Sequence, residues 1–242
     1  MSIKSHHQAL PLSMSNVTYS THGVTLIKDF NIEINSPGTS IVLGHNGSGK
    51  SLLLKLLHGV ISPSAGKIFW NKQAPHIHQY WRTFLLQRPT FFNQTIEFNI
   101  EFVLRIAGID KREHKQRCKQ ALEVCGLTHL GQRSTKSLSG GELQKASLAR
   151  AWVLQPSVIL LDEPTVALDP PSVVSFEKII QQFELSGTKI IMTTHDLAQA
   201  SRLANEIIFI DKGTMIEQSD AATFFAQPAS SQAQRFISGK LI

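Results

Sequence analysis

The chain has 242 residues, a net charge of +6, two cysteines and ten histidines, enough for one sizeable core with a lobe inserted in it. No apolar stretch approaches the ~18 residues that span a bilayer, and the N-terminal stretch has neither the apolar region nor the small-residue cleavage pattern of a signal peptide, so a soluble protein is expected. The positive charges are scattered, and the densest cluster, Lys111 to Lys119, also holds Glu113; that pattern fits a solvated helix face, and no nucleic-acid partner is expected.

In chain order, the first dozen residues carry no periodicity and are expected to fray. Val17–Tyr19 and Leu26–Ile34 read as strands, because Phe30, Ile32 and Ile34 alternate with Asn31 and Glu33, the period of a half-buried strand. Pro37-Gly38 marks a turn, and Ile41–Leu43 is a short apolar strand. Ser51 to His58 carries leucines around the whole helical circumference, which predicts a buried helix, with Gly59 as its stop. Ser62-Pro63-Ser64 is a loop and Lys67–Trp70 a further strand. From Phe92 to Arg150 the period turns helical: Ile96, Ile100, Val103, Leu104 and Ala107 share one face, and a second helix runs over Lys111–Cys125. Strand and helix then alternate, through Val158–Leu161, Val173–Leu185, Lys189–Thr193, Leu197–Ala204 and Ile207–Ile210. Such alternation predicts an α/β fold with a mainly parallel sheet and crossover helices. The domain is expected over residues 12–242, interrupted by a helical lobe at about 90–150. Cys118 and Cys125 have neither zinc nor redox spacing and are expected to be reduced and inert. His76 and His78 are expected on a surface loop.

Three motifs carry chemistry. Gly44-His45-Asn46-Gly47-Ser48-Gly49-Lys50-Ser51 matches a glycine-rich phosphate loop lying between a strand and a helix. Its backbone N–H groups and the helix start favour phosphate oxygens. Lys50 is expected to reach the β- and γ-phosphates of a nucleoside triphosphate, and the Ser51 hydroxyl to ligate Mg²⁺. Val158-Ile159-Leu160-Leu161-Asp162-Glu163 is an apolar strand ending in two carboxylates. Asp162 suits the magnesium shell, and Glu163 the general base for an attacking water. In Leu138-Ser139-Gly140-Gly141-Glu142, Ser139 can cap a helix whose glycines leave N–H groups bare. That is a second phosphate-seeking helix start in a chain whose first loop already holds one triphosphate, so a partner chain's nucleotide is a sensible target.

With these three motifs in this order and spacing, the chain resembles the ATP-binding-cassette ATPases, the nucleotide-binding subunits of ABC transporters, from about Met14 to Glu217. The resemblance implies a P-loop NTPase core with an antiparallel β part at the N-terminus and an inserted α-helical subdomain. It implies ATP and Mg²⁺ as the bound groups. Gln87 matches the glutamine that senses Mg²⁺ and the γ-phosphate, His195 the switch histidine at the γ-phosphate, and Tyr19 the aromatic that stacks on adenine. Ala167-Leu168-Asp169 matches the segment that couples two active sites. The family works as a head-to-tail dimer, here a second copy or a paralogous cassette. Each ATP would then lie between Gly44–Ser51 of one chain and Ser139, Gly140, Gly141, Glu142 and Asp169 of the other. Two departures stand out: His45 where the family often has proline, and Val166 where serine is common.

A transport role requires separate transmembrane permease subunits, docked near Gln87–Ile100 in a groove to which Phe91, Phe92 and Phe98 could contribute. They would hold the chain at the cytoplasmic face of the inner membrane. Gln132 to Ser137 lacks the loop usual in exporters, and no long C-terminal regulatory domain is expected. Leu85-Leu86-Gln87-Arg88-Pro89 looks most like the short cassettes of oxyanion importers, tungstate or phosphate types, which work with an extracytoplasmic solute-binding protein. The alternatives are a soluble cassette ATPase of DNA repair or translation, a phosphate-loop kinase or GTPase, and an exporter or lipid-extrusion cassette. The short span between Ser51 and Leu138 leaves no room for a repair-type coiled coil. No guanine-specific run appears.

Overall fold

A computed structural model describes residues 9–75 and 81–239 of the chain; the expected His76/His78 surface loop lies outside the described residues. The architecture is layered, and each layer is explained by where its apolar side chains point. The central layer is a six-stranded sheet in the order β5-β6-β7-β3-β8-β9. Its strands are β3 (Thr39–Leu43), β5 (Arg82–Leu85), β6 (Val158–Asp162), β7 (Lys189–Thr194), β8 (Glu206–Asp211) and β9 (Thr214–Asp220). The first five strands are parallel to their neighbours, and β9 returns antiparallel to β8. β3, β6 and β7 are buried along their whole length. A strand covered on both faces needs no alternation of apolar and polar residues, which is why these read as short continuous apolar runs.

Alternate residues of the sheet feed two cores. Val42, Val158, Leu160, Ile191 and Ile208 point to one side. Ile41, Leu43, Ile159, Leu161, Ile190 and Met192 point to the other. On the first side lies α1 (Lys50–His58), and packed with it a smaller antiparallel sheet, β2-β1-β4, made of β1 (Leu12–Thr21), β2 (Val24–Ile34) and β4 (Ala65–Trp70). The Trp70 indole N–H donates to the Leu57 carbonyl at 2.9 Å. The helix is therefore pressed between two sheets, which accounts for leucines on every side of it: Leu53, Leu54, Leu56 and Leu57 are all fully buried. Truncating any one of them to alanine would destabilise the fold by about 2–5 kcal/mol. Gly59 ends the helix in the left-handed conformation at φ 88°.

On the second side lie α2 (Ile96–Ile106), α3 (Lys111–Val124) and α4 (Gly140–Trp152), all between β5 and β6 in the chain, together with α5 (Pro170–Leu185), α6 (Leu197–Leu203), α7 (Ala221–Ala226) and α8 (Ser231–Ile237). Ile96, Ile100 and Leu104 of α2 are buried, with Val103 packed at their edge. These helices share one continuous core with the sheet.

One expectation is corrected. Within the stretch expected to fray, Ala9 is already buried, and Leu12 is fully buried at the head of β1, paired with Ile34 and Trp70. Its polar neighbours Ser13, Ser15 and Asn16 hide a strand whose value is its pairing on both edges. Beyond Ile210 the chain continues into β9, α7 and α8, whose mixed polarity gave no periodic signal.

Candidate functional site

Strand order places the three motifs side by side. β6, β7 and β3 are neighbours in one parallel sheet, so their C-terminal ends open on the same edge, where α/β folds hold their ligands. The phosphate loop leaves β3, Asp162-Glu163 leaves β6, and His195 follows β7 directly.

In the loop, Gly44 is required by close approach. A Cβ there would meet the Ile210 carbonyl at 2.3 Å and Ser48 Oγ at 2.6 Å. The Ser48 N–H donates to the His45 carbonyl at 3.1 Å, and the Gly213 N–H to the Ser48 carbonyl at 2.9 Å, so the loop is tied to the β8–β9 turn. The Lys50 ammonium, 5% exposed, donates to the Gly44 and His45 carbonyls at 2.9 and 3.0 Å. It also lies 3.2 Å from Glu163 Oε1. Ser51 Oγ donates to Asp162 Oδ1 at 2.9 Å. His195 Nδ1 lies 3.3 Å from Glu163 Oε2. Phosphate-loop cation, strand-end carboxylates and histidine thus form one connected group.

A cavity of about 420 Å³ opens over them, lined by Asn46, Gly47, Gly49, Lys50, Ser51, Leu52, Gln87 and Glu163. It is large enough for a small organic ligand. The Ser48 hydroxyl, buried in the loop, has no hydrogen-bond partner, and α1 presents its unbonded N-terminal amides here. This donor set suits a polyphosphate. Ser51 Oγ and an Asp162 carboxylate oxygen are hard oxygen ligands of the kind Mg²⁺ takes alongside phosphate oxygens.

Glu163 sits at φ +40°, a left-handed conformation uncommon outside glycine and characteristic of strained functional positions. Thr193 holds it there. Its hydroxyl accepts the Glu163 backbone N–H at 2.8 Å and donates to Asp162 Oδ1 at 2.9 Å. Sequence reading missed Thr193, because a strand threonine carries no signal until register sets it opposite Asp162.

Gln87, exposed after β5, is anchored from behind. Gln144 of α4, buried, donates to the Gln87 carbonyl at 2.9 Å. Arg150 donates to the Thr90 carbonyl at 2.8 Å and lies 4.1 Å over the Phe91 ring. Asn99 and Thr135 both donate to the Phe92 carbonyl. The segment from Gln87 to Phe92 is thus held by side chains of the helical layer. Gln144 and Arg150 lie just beyond the Leu138–Glu142 run, the one signal by which they could have been found.

Ser139–Glu142 and Asp169 do not line the cavity. Ser139 caps α4 in a reciprocal box with Glu142: its Oγ accepts the Glu142 N–H at 3.3 Å, and the Glu142 carboxylate accepts the Ser139 N–H at 2.7 Å. That bond holds the Glu142 carboxyl below the usual carboxylate range. The two glycines differ. Gly140 is exposed, whereas a Cβ on Gly141 would meet Ser172 Oγ of α5 at 2.4 Å. Asp169 is exposed at the start of α5 and makes no side-chain capping bond. Tyr19 pairs with Ile27 and is partly buried against the α1 core rather than lining the cavity. Of the expected phenylalanine groove, Phe92 and Phe98 are exposed, while Phe91 packs against the core.

The sequence profile of the ABC transporter family matches residues 27–166. The chain belongs to that family. It is 32% identical to the phosphate import ATP-binding protein PstB of Mycoplasmoides gallisepticum over 93% of this chain and 74% of that protein. It is 30% identical to the methionine import ATP-binding protein MetN of Corynebacterium diphtheriae over 83% of this chain and 62% of that protein. Among solved structures it matches cbiO1 of Clostridium perfringens, part of the ABC transporter complex cbiONQ, with a TM-score of 0.82 and 26% identity over 89% of this chain and 90% of that one. As an ABC transporter ATP-binding subunit, the chain binds ATP and is an ATPase. No described helix is long and apolar enough to cross a membrane.

Proposed function

We propose that Gly44 to Ser51 holds the ATP triphosphate and that Glu163 is the general base for its hydrolysis. The observation that carries this reading is the convergence of Lys50, Ser51, Asp162, Glu163 and His195 at the ends of three adjacent strands. Lys50 neutralises the β- and γ-phosphates, and the loop amides with the α1 N-terminus take the remaining phosphate oxygens. Mg²⁺ would be held by Ser51 and Asp162, with Gln87 lining the same cavity. When bound, it supplies positive charge against the phosphate oxygens. Glu163 accepts a proton from the water that attacks the γ-phosphorus as the bond to ADP breaks. His195, beside Glu163, contacts the γ-phosphate, and Tyr19 supplies the adenine platform.

Two chains, or this one and a paralogous cassette, assemble head to tail. Ser139, Gly140, Gly141, Glu142 and Asp169 of one then face the ATP of the other. Their position away from this chain's own cavity supports that arrangement. Tight association with ATP follows, and hydrolysis releases it. The test is sedimentation of Glu163→Gln with MgATP: a dimer is expected, and a monomer at every concentration would sink the reading.

The work driven is import through transmembrane permease subunits, with the chain at the cytoplasmic face of the membrane and an extracytoplasmic solute-binding protein delivering the solute. Relatives named for phosphate and methionine import, and the cbiONQ complex, support this. An oxyanion such as phosphate or tungstate is the solute proposed. Loss of phosphate or tungstate uptake in cells lacking the gene checks it; unchanged uptake of both would rule out this class.

A further inference from the structure

We propose that α8 is a positioning element for the phosphate loop, acting through an edge-to-face contact between Phe236 and His45. The inference rests on the reading that Gly44 to Ser51 holds ATP. The two rings lie 4.9 Å apart with their planes at 89°, the arrangement favoured by aromatic quadrupoles.

His45 is the pivot of the loop. Its carbonyl accepts both the Ser48 N–H and the Lys50 ammonium, so the place of this one residue sets the turn and the lysine together. Its side chain is poorly held by polar contacts: Nε2 is buried and has no hydrogen-bond partner. The orientation of the imidazole therefore depends on packing. Phe236 supplies that packing from a well-anchored helix. Ser230 caps α8, and the Glu217 carboxylate accepts the Ala229 and Ser230 N–H groups at 2.9 and 2.8 Å. Behind Phe236, the Phe209 ring of β8 lies 5.0 Å away, tilted by 40°. A ring on an anchored helix thus meets the loop residue whose carbonyl accepts from both the lysine and the Ser48 N–H. Nothing in the phosphate-loop pattern requires this contact, because the position of His45 is unconstrained in that pattern.

The contact acts on the ground-state shape of the loop, so its loss should weaken ATP binding more than turnover at saturation. Phe236→Ala is expected to raise KM and the MgATP Kd about three- to tenfold while kcat stays within about twofold. His45→Ala should raise KM and Kd as well, and the double variant should match the worse single in Kd rather than combine both effects. Phe236→Leu serves if the alanine variant does not fold, with a smaller rise expected. Phe224→Leu loosens the α7 packing against Phe209 without touching His45, and should lower the melting temperature at unchanged KM. Additive losses in the double variant, an unchanged KM for both Phe236 variants, or an equal rise in KM for Phe224→Leu would each overturn the proposal. Lys50→Ala tests the underlying reading separately: if it binds MgATP as tightly as wild type, the loop is not the ATP site at all.

Discussion

The Thr193 hydroxyl accepts the Glu163 backbone N–H and donates to Asp162 Oδ1. One buried side chain on β7 thereby orients both strand-end carboxylates of β6. Thr193→Val keeps the shape and removes both bonds. ATP turnover is expected to fall about tenfold or more, since slightly misplacing the carboxylate proposed as general base is enough. Stability should drop by about 1–3 kcal/mol, the penalty for a buried N–H left unpaired. Steady-state kinetics beside a urea melt measures both. Full activity in the variant would show that Glu163 needs no such support.

Glu163→Gln keeps the volume of the side chain and removes its basicity. Hydrolysis is expected to fall about 10²–10⁴-fold, or about 3–5 kcal/mol at the barrier. MgATP binding should survive, because Lys50 keeps its bonds to the Gly44 and His45 carbonyls. Wild-type turnover would remove Glu163 from the chemistry.

Ser139 caps α4, and the proposed head-to-tail arrangement gives it a second, separable role. As the cap of α4 it contributes about 1 kcal/mol, which Ser139→Ala should reveal in a thermal melt. As a contact to a partner's nucleotide it cannot tolerate bulk. Ser139→Arg should abolish turnover while leaving ATP binding by the single chain intact. Equal activity losses in Ala and Arg would point to the cap alone.

Phe92 and Phe98 are exposed, meet each other at 6.2 Å, and sit beside Phe102 and Arg105 on α2. Phe92→Glu is expected to prevent co-purification with the permease while leaving basal ATPase within about twofold, as surface changes away from a site usually do. Retention of the permease would move its docking surface elsewhere.

Both cysteines are buried, and burial pushes each thiol up to about 12 from an ordinary value of 9.0. The thiolate is the reactive form, and a rise of this size lowers its fraction at pH 8 about a thousandfold. Alkylation of the folded protein at pH 8 should therefore be negligible, and two equivalents should react once it is unfolded. Raising the pH toward 10 should speed the folded reaction about tenfold per unit. Rapid labelling at neutral pH would contradict the packing of α3.

Local sequence was enough for the phosphate loop, the strand-end carboxylates and the alternation of strand and helix. Each depends on neighbours in the chain: glycine backbone freedom, a short apolar run, a 3.6-residue period. The buried leucines of α1 were legible for the same reason, although not the two sheets that bury them. Thr193, Gln144 and the Phe236–His45 contact were not legible. Their partners lie 30, 57 and 191 residues away in the chain, and the pairing is decided by strand register and helix packing. The start of β1 was misread because its pairing on both edges, rather than its own polarity, buries it. The sequence alone picked out the groups whose chemistry suits phosphate binding and proton transfer. Only the tertiary structure decided which side chains hold them in place, because a hydrogen bond or a ring contact is a property of distance in space.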